Sequence, residues 1–329
     1  MAKSKTAMSQ KFSVLFTCIG RRVSLLEGFG KAAKQLKVNA CFIGADANRL
    51  SAALQLCDKK YIVKPIRHPD YVKELLRIVK QNKVKLLVPT IDTDLLILAK
   101  NKAKFVSLGC CVLVSEPAAV SICQDKRKTH KFLSKNGFNT PDTIAVATAL
   151  RRKGISWPCL LKPWDGAASK GVTTVYDRKE LAFFARRIPN CIVQELAEGI
   201  EHTCDVFVDF DMQVRCVVPR KRIQIRSGEV SKGQVVKNRQ IMTQAAEVTK
   251  TLKAGPGVIT LQCFLQPDGK IIFTEINPRF GGGVPLAIKA GANFPKWILQ
   301  QLIGQKLRIK FDGFKDGLIM LRYDAEVWL

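Results

Sequence analysis

Residues 262–279 read QCFLQPDGKIIFTEINPR, and this stretch predicts a β-hairpin that carries a metal site. Asp268-Gly269 stands between two apolar, β-rich runs, as is typical of a two-residue type I′ turn. A two-residue loop there would place Gln262 directly opposite Glu275, with their Cβ atoms about 5 Å apart. Pro267 has no backbone N–H for the ladder and therefore argues against a regular register beside the turn.

Three oxygen-bearing side chains then share one patch of the predicted sheet. Glu275 and Asn277 are two residues apart on one strand, so their side chains lie on the same face, about 7 Å apart. Gln262 joins them from the neighbouring strand, and Arg279 follows just beyond. Oxygen ligands beside a guanidinium group suit Mg²⁺ held against a phosphate. A solvated polar face would give the same pattern, and the hairpin alone does not separate the two interpretations.

The composition predicts a globular chain of more than one subdomain, with 329 residues, 47% hydrophobic and 25% charged. No apolar run has the length needed to span a bilayer. Residues 1–10 are polar and predict a short disordered tail without a hydrophobic signal core. Eleven cysteines without a CxxC pair predict reduced thiols in a cytoplasmic protein.

The formal net charge is +27, which is large enough to suggest that the chain binds a polyanion such as nucleic acid. The lysines are nevertheless spread along the chain, and aromatic residues make up only 8% of it. We therefore favour a general basic composition with affinity for anionic metabolites, and expect neither a nucleic-acid nor a membrane partner. A polyanion-binding protein remains the alternative function.

The first third of the chain alternates strand and helix signals, which predicts a parallel, doubly wound sheet. We expect strands near residues 12–18, 40–45, 61–63, 84–89 and 111–114, and helices near 23–36 and 70–81. Ligands of such sheets collect beyond the carboxyl ends of the strands. The polar or flexible residues predicted at those ends are Gly20, Arg21, Arg22, Asp46 and Asp92. Ordinary loop polarity explains them equally well.

The rest of the chain divides into two further regions. After Pro117 two helical patterns are interrupted at residues 124–126, and a β-rich segment follows with strands near 159–163 and 191–196 around a small-residue loop. The last region is mostly antiparallel, with strands near 203–209 and 213–218 and then a basic run from Pro219 to Arg222. Helices near 241–252, 285–290 and 294–303 surround the hairpin.

In this order the parts resemble the ATP-grasp superfamily, and most closely a single unit of the large subunit of carbamoyl-phosphate synthase. The resemblance extends from about Phe12 to Leu307. It implies an α/β and α+β fold, in which a Rossmann-like pre-ATP-grasp domain with a doubly wound parallel sheet covers residues 11–117. A two-subdomain ATP-grasp fold would follow, with its lid subdomain at 118–194 and its metal-bearing C-terminal subdomain at 195–329.

The resemblance also implies roles for individual residues. Gln262, Glu275 and Asn277 match the ligands of Mg²⁺ (or Mn²⁺), and Arg279 and Lys162 match the catalytic cations that stabilise the transferred phosphate. The matching ATP contacts are Lys126, Lys162, Ser169, Lys170, Glu195, Leu196 and Glu201. The positions that could contact the substrate, each of which could as easily be structural, are Arg21, Arg22, Arg220, Lys221, Arg222 and Gly282.

The activity implied by the resemblance is an ATP-dependent ligase. Such an enzyme phosphorylates a small-molecule carboxylate to an acyl phosphate, couples it to an amine or similar nucleophile, and releases ADP and phosphate. The chain has room for one ATP-grasp unit, whereas carbamoyl-phosphate synthesis uses two, so we expect a distinct carboxylate ligase. A homodimer is an expectation of the resemblance, and a non-catalytic nucleotide-binding scaffold is the remaining alternative.

Overall fold

A computed structural model describes residues 11–166 and 170–329. The predicted tail at 1–10 and the candidate ATP contact Ser169 lie outside these residues. Among the described residues, no helix combines the length and the apolar character that crossing a membrane requires.

The first sheet has five parallel strands in the order β3-β2-β1-β4-β5, which confirms the predicted doubly wound sheet. Its strands are β1 (Lys11–Thr17), β2 (Asn39–Asp46), β3 (Lys59–Ile62), β4 (Val84–Pro89) and β5 (Cys111–Val112). Its helices are α1 (Val23–Leu36), α2 (Ala52–Gln55), α3 (Tyr71–Asn82) and α4 (Leu95–Val106). Because the strand order reverses at β1, the loops after β1 and β4 leave the sheet on opposite sides and open a crevice between them.

The second region combines a helix pair with a four-stranded antiparallel sheet in the order β6-β9-β7-β8. Its strands are β6 (Thr143–Ala145), β7 (Cys159–Pro163), β8 (Thr173–Val175) and β9 (Cys191–Glu195). Its helices are α5 (Pro117–Cys123), α6 (Lys126–Lys135), α7 (Val146–Arg151) and α8 (Arg178–Ala185). The predicted interruption between α5 and α6 is confirmed. There the Asp125 side chain accepts a hydrogen bond from the backbone N–H of Arg127 and caps α6.

The third sheet has six antiparallel strands in the order β14-β13-β10-β11-β12-β15. Its strands are β10 (Ile200–Val208), β11 (Val214–Arg226), β12 (Glu229–Val235), β13 (Gly257–Leu265), β14 (Ile271–Asn277) and β15 (Ile319–Leu321). Its helices are α9 (Arg239–Leu252), α10 (Val284–Lys289) and α11 (Phe294–Leu302). The predicted end of a strand at Val218 was wrong, because β11 continues to Arg226 and includes the basic run.

The β13–β14 hairpin confirms the pairing of Gln262 with Glu275, but the predicted two-residue turn was wrong. The loop has three residues: Gly269 donates to the carbonyl of Gln266, and the N–H of Gln266 donates to the carbonyl of Lys270. Gly269 has φ +86°, as a three-residue hairpin with a G1 bulge requires. The loop shifts the register by one residue, and a second irregularity next to Gln262 shifts it back.

Helix α1 joins the first sheet to the third. Phe29 on α1 is fully buried, and its ring makes edge contacts with Phe16 of β1 and with Phe280, which follows β14, at centroid distances of 5.2 and 6.0 Å. One continuous apolar core therefore runs from the parallel sheet through α1 to the antiparallel sheet. This packing sets the loop after β1 against the β13–β14 hairpin, which we call the metal hairpin because it carries the three predicted metal ligands.

Replacing Phe29 by alanine should lower the free energy of unfolding by about 3–5 kcal/mol, because a large cavity would open in the shared core. Urea unfolding followed by circular dichroism measures the change. Phe183→Ala is the matched control. Because Phe183 is 49% exposed, the free energy of unfolding should fall much less in this variant. Equal losses in the two variants would contradict a core that depends on α1.

Candidate active site

The three predicted metal ligands line one cavity. Gln262 and Glu275 are half-buried, Asn277 is 7% exposed, and all three border the same space. The Glu275 carboxylate takes part in none of the ion pairs formed among residues 11–166 and 170–329. In those ranges no cluster of three or more His, Cys, Asp or Glu side chains competes for a metal. One free carboxylate with two amide oxygens is a donor set that suits a hard cation.

A cleft lies between the four-stranded sheet and the six-stranded sheet, and we call it the inter-sheet cleft. It encloses about 790 Å³, counting the space that is open to solvent. Every predicted ATP contact within the described residues lines it, namely Lys126, Lys162, Lys170, Glu195, Leu196 and Glu201. Gln262 and Glu275 also line it, so the metal hairpin forms one wall.

Lys162 lies inside this cleft on β7 and is only 9% exposed. Its Nζ donates to Oε1 of Gln194 at 2.6 Å, and Nε2 of Gln194 donates to Oγ1 of Thr143 at 2.8 Å. Burial, and to a lesser extent the Lys126 cation, lower the pKa of Lys162 to about 8, against the opposing effect of the Glu275 carboxylate. An anion bound in the cleft would stabilise the charged form of this amine.

Lys126 begins α6 and reaches toward the loop after β7. Its Nζ donates to the carbonyl of Gly166 at 2.6 Å, and its backbone N–H donates to the carbonyl of Trp164 at 3.0 Å. The guanidinium of Arg127 lies 3.9 Å from the centre of the Trp164 ring. The start of α6 is thereby fixed to the chain that leads into residues 167–169.

A second cavity, which we call the arginine cavity, adjoins this cleft along the same face of the metal hairpin. Four of the predicted substrate contacts line it, namely Arg22, Arg220, Arg222 and Gly282. It shares Glu201, Gln262 and Glu275 with the inter-sheet cleft. Arg21 and Lys221 line neither cavity. The side chain of Arg21 is 66% exposed and forms an ion pair with Glu229.

The arginines of this cavity are held by carboxylates. The closest contacts are Arg22–Glu229 at 3.1 Å, Arg222–Glu201 at 2.8 Å, Arg279–Asp92 at 2.6 Å and Arg220–Asp205 at 2.6 Å. Glu201, one of the predicted ATP contacts, therefore faces Arg222. Arg279, the predicted phosphate contact, directs its Nε and Nη2 at Asp92.

Sequence reasoning missed two of these carboxylates, Glu229 and Asp205. Burial opposes ionisation of Glu229, but Arg22, Arg322 and Arg21 together lower its pKa to about 2. Asp205 pairs in register with Val218, and it therefore lies diagonal to Arg220 across β10 and β11. Long side chains bridge such diagonal neighbours, so the opposite charges on adjacent strands were the available signal.

Two family models match the chain in the order of its sheets. A family model described as "ATP-grasp domain" matches residues 123–283, and one described as "PylC-like, N-terminal domain" matches residues 14–113. The chain carries an ATP-grasp domain after a PylC-like N-terminal domain. Its ATP-grasp domain includes β7, β9 and the metal hairpin, so the inter-sheet cleft lies within the matched residues.

Individual relatives are more distant. A D-alanine–D-alanine ligase of Bacillus anthracis is 26% identical over 152 residues, covering 41% of this chain and 50% of that enzyme. The carbamoyl phosphate synthase large chain of Clostridium botulinum is 24% identical over 277 residues, covering 79% of this chain and 25% of that protein. The chain thus spans half the length of the first relative and a quarter of the second.

Solved structures of other proteins share the fold of this chain. The L-amino acid ligase from Bacillus licheniformis superimposes with a TM-score of 0.69 at 19% sequence identity, covering 90% of this chain and 75% of that one. The likeness extends over both the parallel sheet and the antiparallel sheets.

Lys162 of the ATP-grasp domain should make stability depend on pH. Its folded pKa of about 8 lies below the ordinary value of 10.5, so the unfolded chain binds more protons between these pH values. The contribution of Lys162 to the free energy of unfolding therefore rises with pH across that window. We therefore compare the free energy of unfolding of Lys162→Met with that of wild type at two pH values. The variant minus wild-type difference should be about 2 kcal/mol larger at pH 7.5 than at pH 9.5.

Urea unfolding at the two pH values measures this difference. The control Lys135→Met removes an exposed lysine, and its free energy of unfolding should differ from that of wild type by the same amount at both pH values. If the difference for Lys162→Met is also the same at both pH values, burial does not lower the pKa of Lys162 as described.

Proposed function

We propose that this chain is an ATP-dependent ligase that phosphorylates a carboxylate and couples the acyl phosphate to an amine or similar nucleophile, releasing ADP and phosphate. One observation carries the proposal: Gln262, Glu275 and Glu201 border both the inter-sheet cleft and the arginine cavity. A phosphate donor in the cleft and a carboxylate in the cavity would meet at these residues. Phosphoryl transfer depends on this kind of alignment of donor and acceptor.

The nucleotide is assigned to the inter-sheet cleft by its lysines. Lys126 and Lys162 line the cleft and would neutralise phosphate charge, and Lys170 lines it beside the loop after β7. Glu195 and Leu196, at the end of β9, would border the base. We keep the division into a lid subdomain at 118–194 and a C-terminal subdomain at 195–329 as part of this proposal.

Glu275, Asn277 and Gln262 would hold Mg²⁺, or Mn²⁺ in its place. Their fit to a hard cation follows from the unpaired Glu275 carboxylate and the two neighbouring amide oxygens. A metal bound there would draw negative charge from the phosphate oxygens.

The cations of the chain act on the charge that builds up during transfer. Lys162 is desolvated and fixed by Gln194, so its ammonium group needs no reorganisation when a phosphate is present. Arg279 is fixed by Asp92 in the same way, with Nη1 directed to the carbonyl of Phe280. Both groups would stabilise the transferred phosphate because they are already held in position before it binds.

We propose a carboxylate–amine ligase with small-molecule substrates, a choice supported by the D-alanine–D-alanine ligase and the L-amino acid ligase among the proteins similar to this chain. All eleven cysteines are unpaired, which supports a reducing, cytoplasmic location. A homodimer is retained as a proposal.

Glu275→Ala should abolish Mg-ATP turnover while the fold is retained, because it removes the one free carboxylate of the metal site. Purified protein would be incubated with Mg-ATP and pooled small carboxylates and amines, and ADP, AMP and phosphate would be separated. The wild type should form ADP and phosphate only when the pool is present.

Glu247→Ala, which removes an exposed carboxylate on α9, is the matched control and should keep wild-type turnover. Turnover retained in Glu275→Ala would contradict the proposal, and so would AMP as the nucleotide product. Nucleotide binding without any turnover would favour the non-catalytic scaffold instead.

A further inference from the structure

Two buried arginines in the arginine cavity each have an N–H group without a partner. The side chain of Arg220 is 1% exposed and that of Arg222 is 6% exposed. Within residues 11–166 and 170–329, Nη1 of Arg220 and Nε of Arg222 have no hydrogen-bond acceptor. Buried polar groups are nearly always satisfied, so two unsatisfied donors on residues that line one cavity point to a ligand that they bind there.

The orientation of Arg220 is fixed from behind. Asp205 is fully buried and accepts from Nε at 2.6 Å and from Nη2 at 3.0 Å. This two-point contact uses one edge of the guanidinium plane and leaves Nη1 on the other edge. Asp205 therefore presents Nη1 to the cavity without competing for it.

Arg222 is fixed in a similar way. Its Nη1 donates to Glu201 at 2.8 Å, and its Nη2 donates to the carbonyl of Gly228 at 3.1 Å. Arg220 and Arg222 are two residues apart on β11, so their side chains share a face of the strand. The intervening Lys221 points to the other face and does not line the cavity.

The glycine loop before α10 packs closely against these groups. A Cβ on Gly283 would lie 2.3 Å from Nη1 of Arg220, and a Cβ on Gly282 would lie 2.6 Å from the Glu229 carboxylate. Gly283 has φ −92°, which any residue can adopt. Glycine is therefore required at position 283 for space and not for backbone conformation.

The remaining charge of the cavity favours an anion. Asp92, Glu201 and Glu229 line it, and each already pairs with an arginine. The Glu275 carboxylate is assigned to the metal. The unmet hydrogen-bonding capacity therefore consists of guanidinium donors, whose best acceptors are carboxylate or phosphate oxygens.

We propose that Nη1 of Arg220 and Nε of Arg222 bind an oxyanion group, a carboxylate or a phosphate, of the substrate that enters the arginine cavity. This inference rests on the proposed ligase function. Both arginines line the arginine cavity alone, whereas Gln262 and Glu275 also border the inter-sheet cleft. The substrate therefore carries this anionic group in addition to the group that reacts beside the metal hairpin.

Calorimetry with small probes tests the site without knowing the substrate. Inorganic phosphate and acetate would each be titrated into protein saturated with Mg²⁺ and a non-hydrolysable ATP analogue. Arg222→Gln should weaken probe binding by about tenfold or more, because a charge-assisted hydrogen bond is lost. Lys221→Gln removes the same charge from the neighbouring residue and should bind the probes like wild type.

Gly283→Ala tests the geometry with no change of charge. Its new methyl group would displace Nη1 of Arg220, and probe binding should fall as it does in Arg222→Gln. The control Gly30→Ala adds a methyl group on α1 that meets only Phe42, at 3.9 Å, and should leave binding unchanged. Tighter binding of phosphate than of acetate would identify a phosphorylated substrate, and the reverse order a second carboxylate.

Two results would overturn the assignment. One is the absence of saturable binding of either probe, and the other is an equal loss in Arg222→Gln and Lys221→Gln, which would indicate non-specific charge. The ATP analogue is titrated separately. If it binds and the probes do not, only the oxyanion site is wrong. If it does not bind, the proposed ligase function fails, while probe titrations without nucleotide still decide the oxyanion site.

Discussion

The pairing of Arg279 with Asp92 connects the two halves of the active site. The two residues are 187 positions apart, one beyond the end of β4 and one beyond the end of β14. A second pair, Arg22 with Glu229, connects the loop after β1 to β12 over 207 positions. Both pairs are largely buried, where removing one partner leaves a charge that water cannot solvate. The parallel sheet and the antiparallel sheet are therefore joined at their functional edges.

This junction explains why two cavities share one set of residues. The six-stranded sheet supplies the metal hairpin as a common wall, the four-stranded sheet closes the inter-sheet cleft, and the loops of the parallel sheet close the arginine cavity. Cations in both cavities are held in place by carboxylates or amides before any ligand arrives. The cost of ordering them has been met during folding, which is how a fixed polar site stabilises developing charge.

The sequence predicts the sites that depend on local spacing. Glu275 and Asn277 are two positions apart on one strand, and this spacing alone places both side chains on one face, whatever the turn does. The pairing with Gln262 was right although the turn was wrong, because the three-residue loop and the irregularity beside Gln262 cancel. The six predicted ATP contacts within the described residues came from the order of the motifs, and all six residues line one cleft.

The sequence did not predict contacts that depend on the pairing of distant strands. Helix α4 begins with five consecutive apolar residues, which obscure a helical period, and it was missed. Ser227-Gly228, which ends the basic run in a two-residue turn, was not recognised as a hairpin signal, so β12 and Glu229 were missed as well. The unpaired N–H groups of Arg220 and Arg222 follow from Asp205 and Glu201, whose positions only the assembled sheet defines.

A crystal structure with Mn²⁺ and a non-hydrolysable ATP analogue tests the central claim most directly, because the anomalous signal of manganese locates the metal independently of the protein. The account predicts a manganese peak at the junction of the two cavities, about 2–2.5 Å from oxygens of Glu275 and Asn277. The nucleotide should lie in the inter-sheet cleft, with its phosphates toward Lys126 and Lys162. A metal bound elsewhere, or a nucleotide bound outside this cleft, would contradict the account.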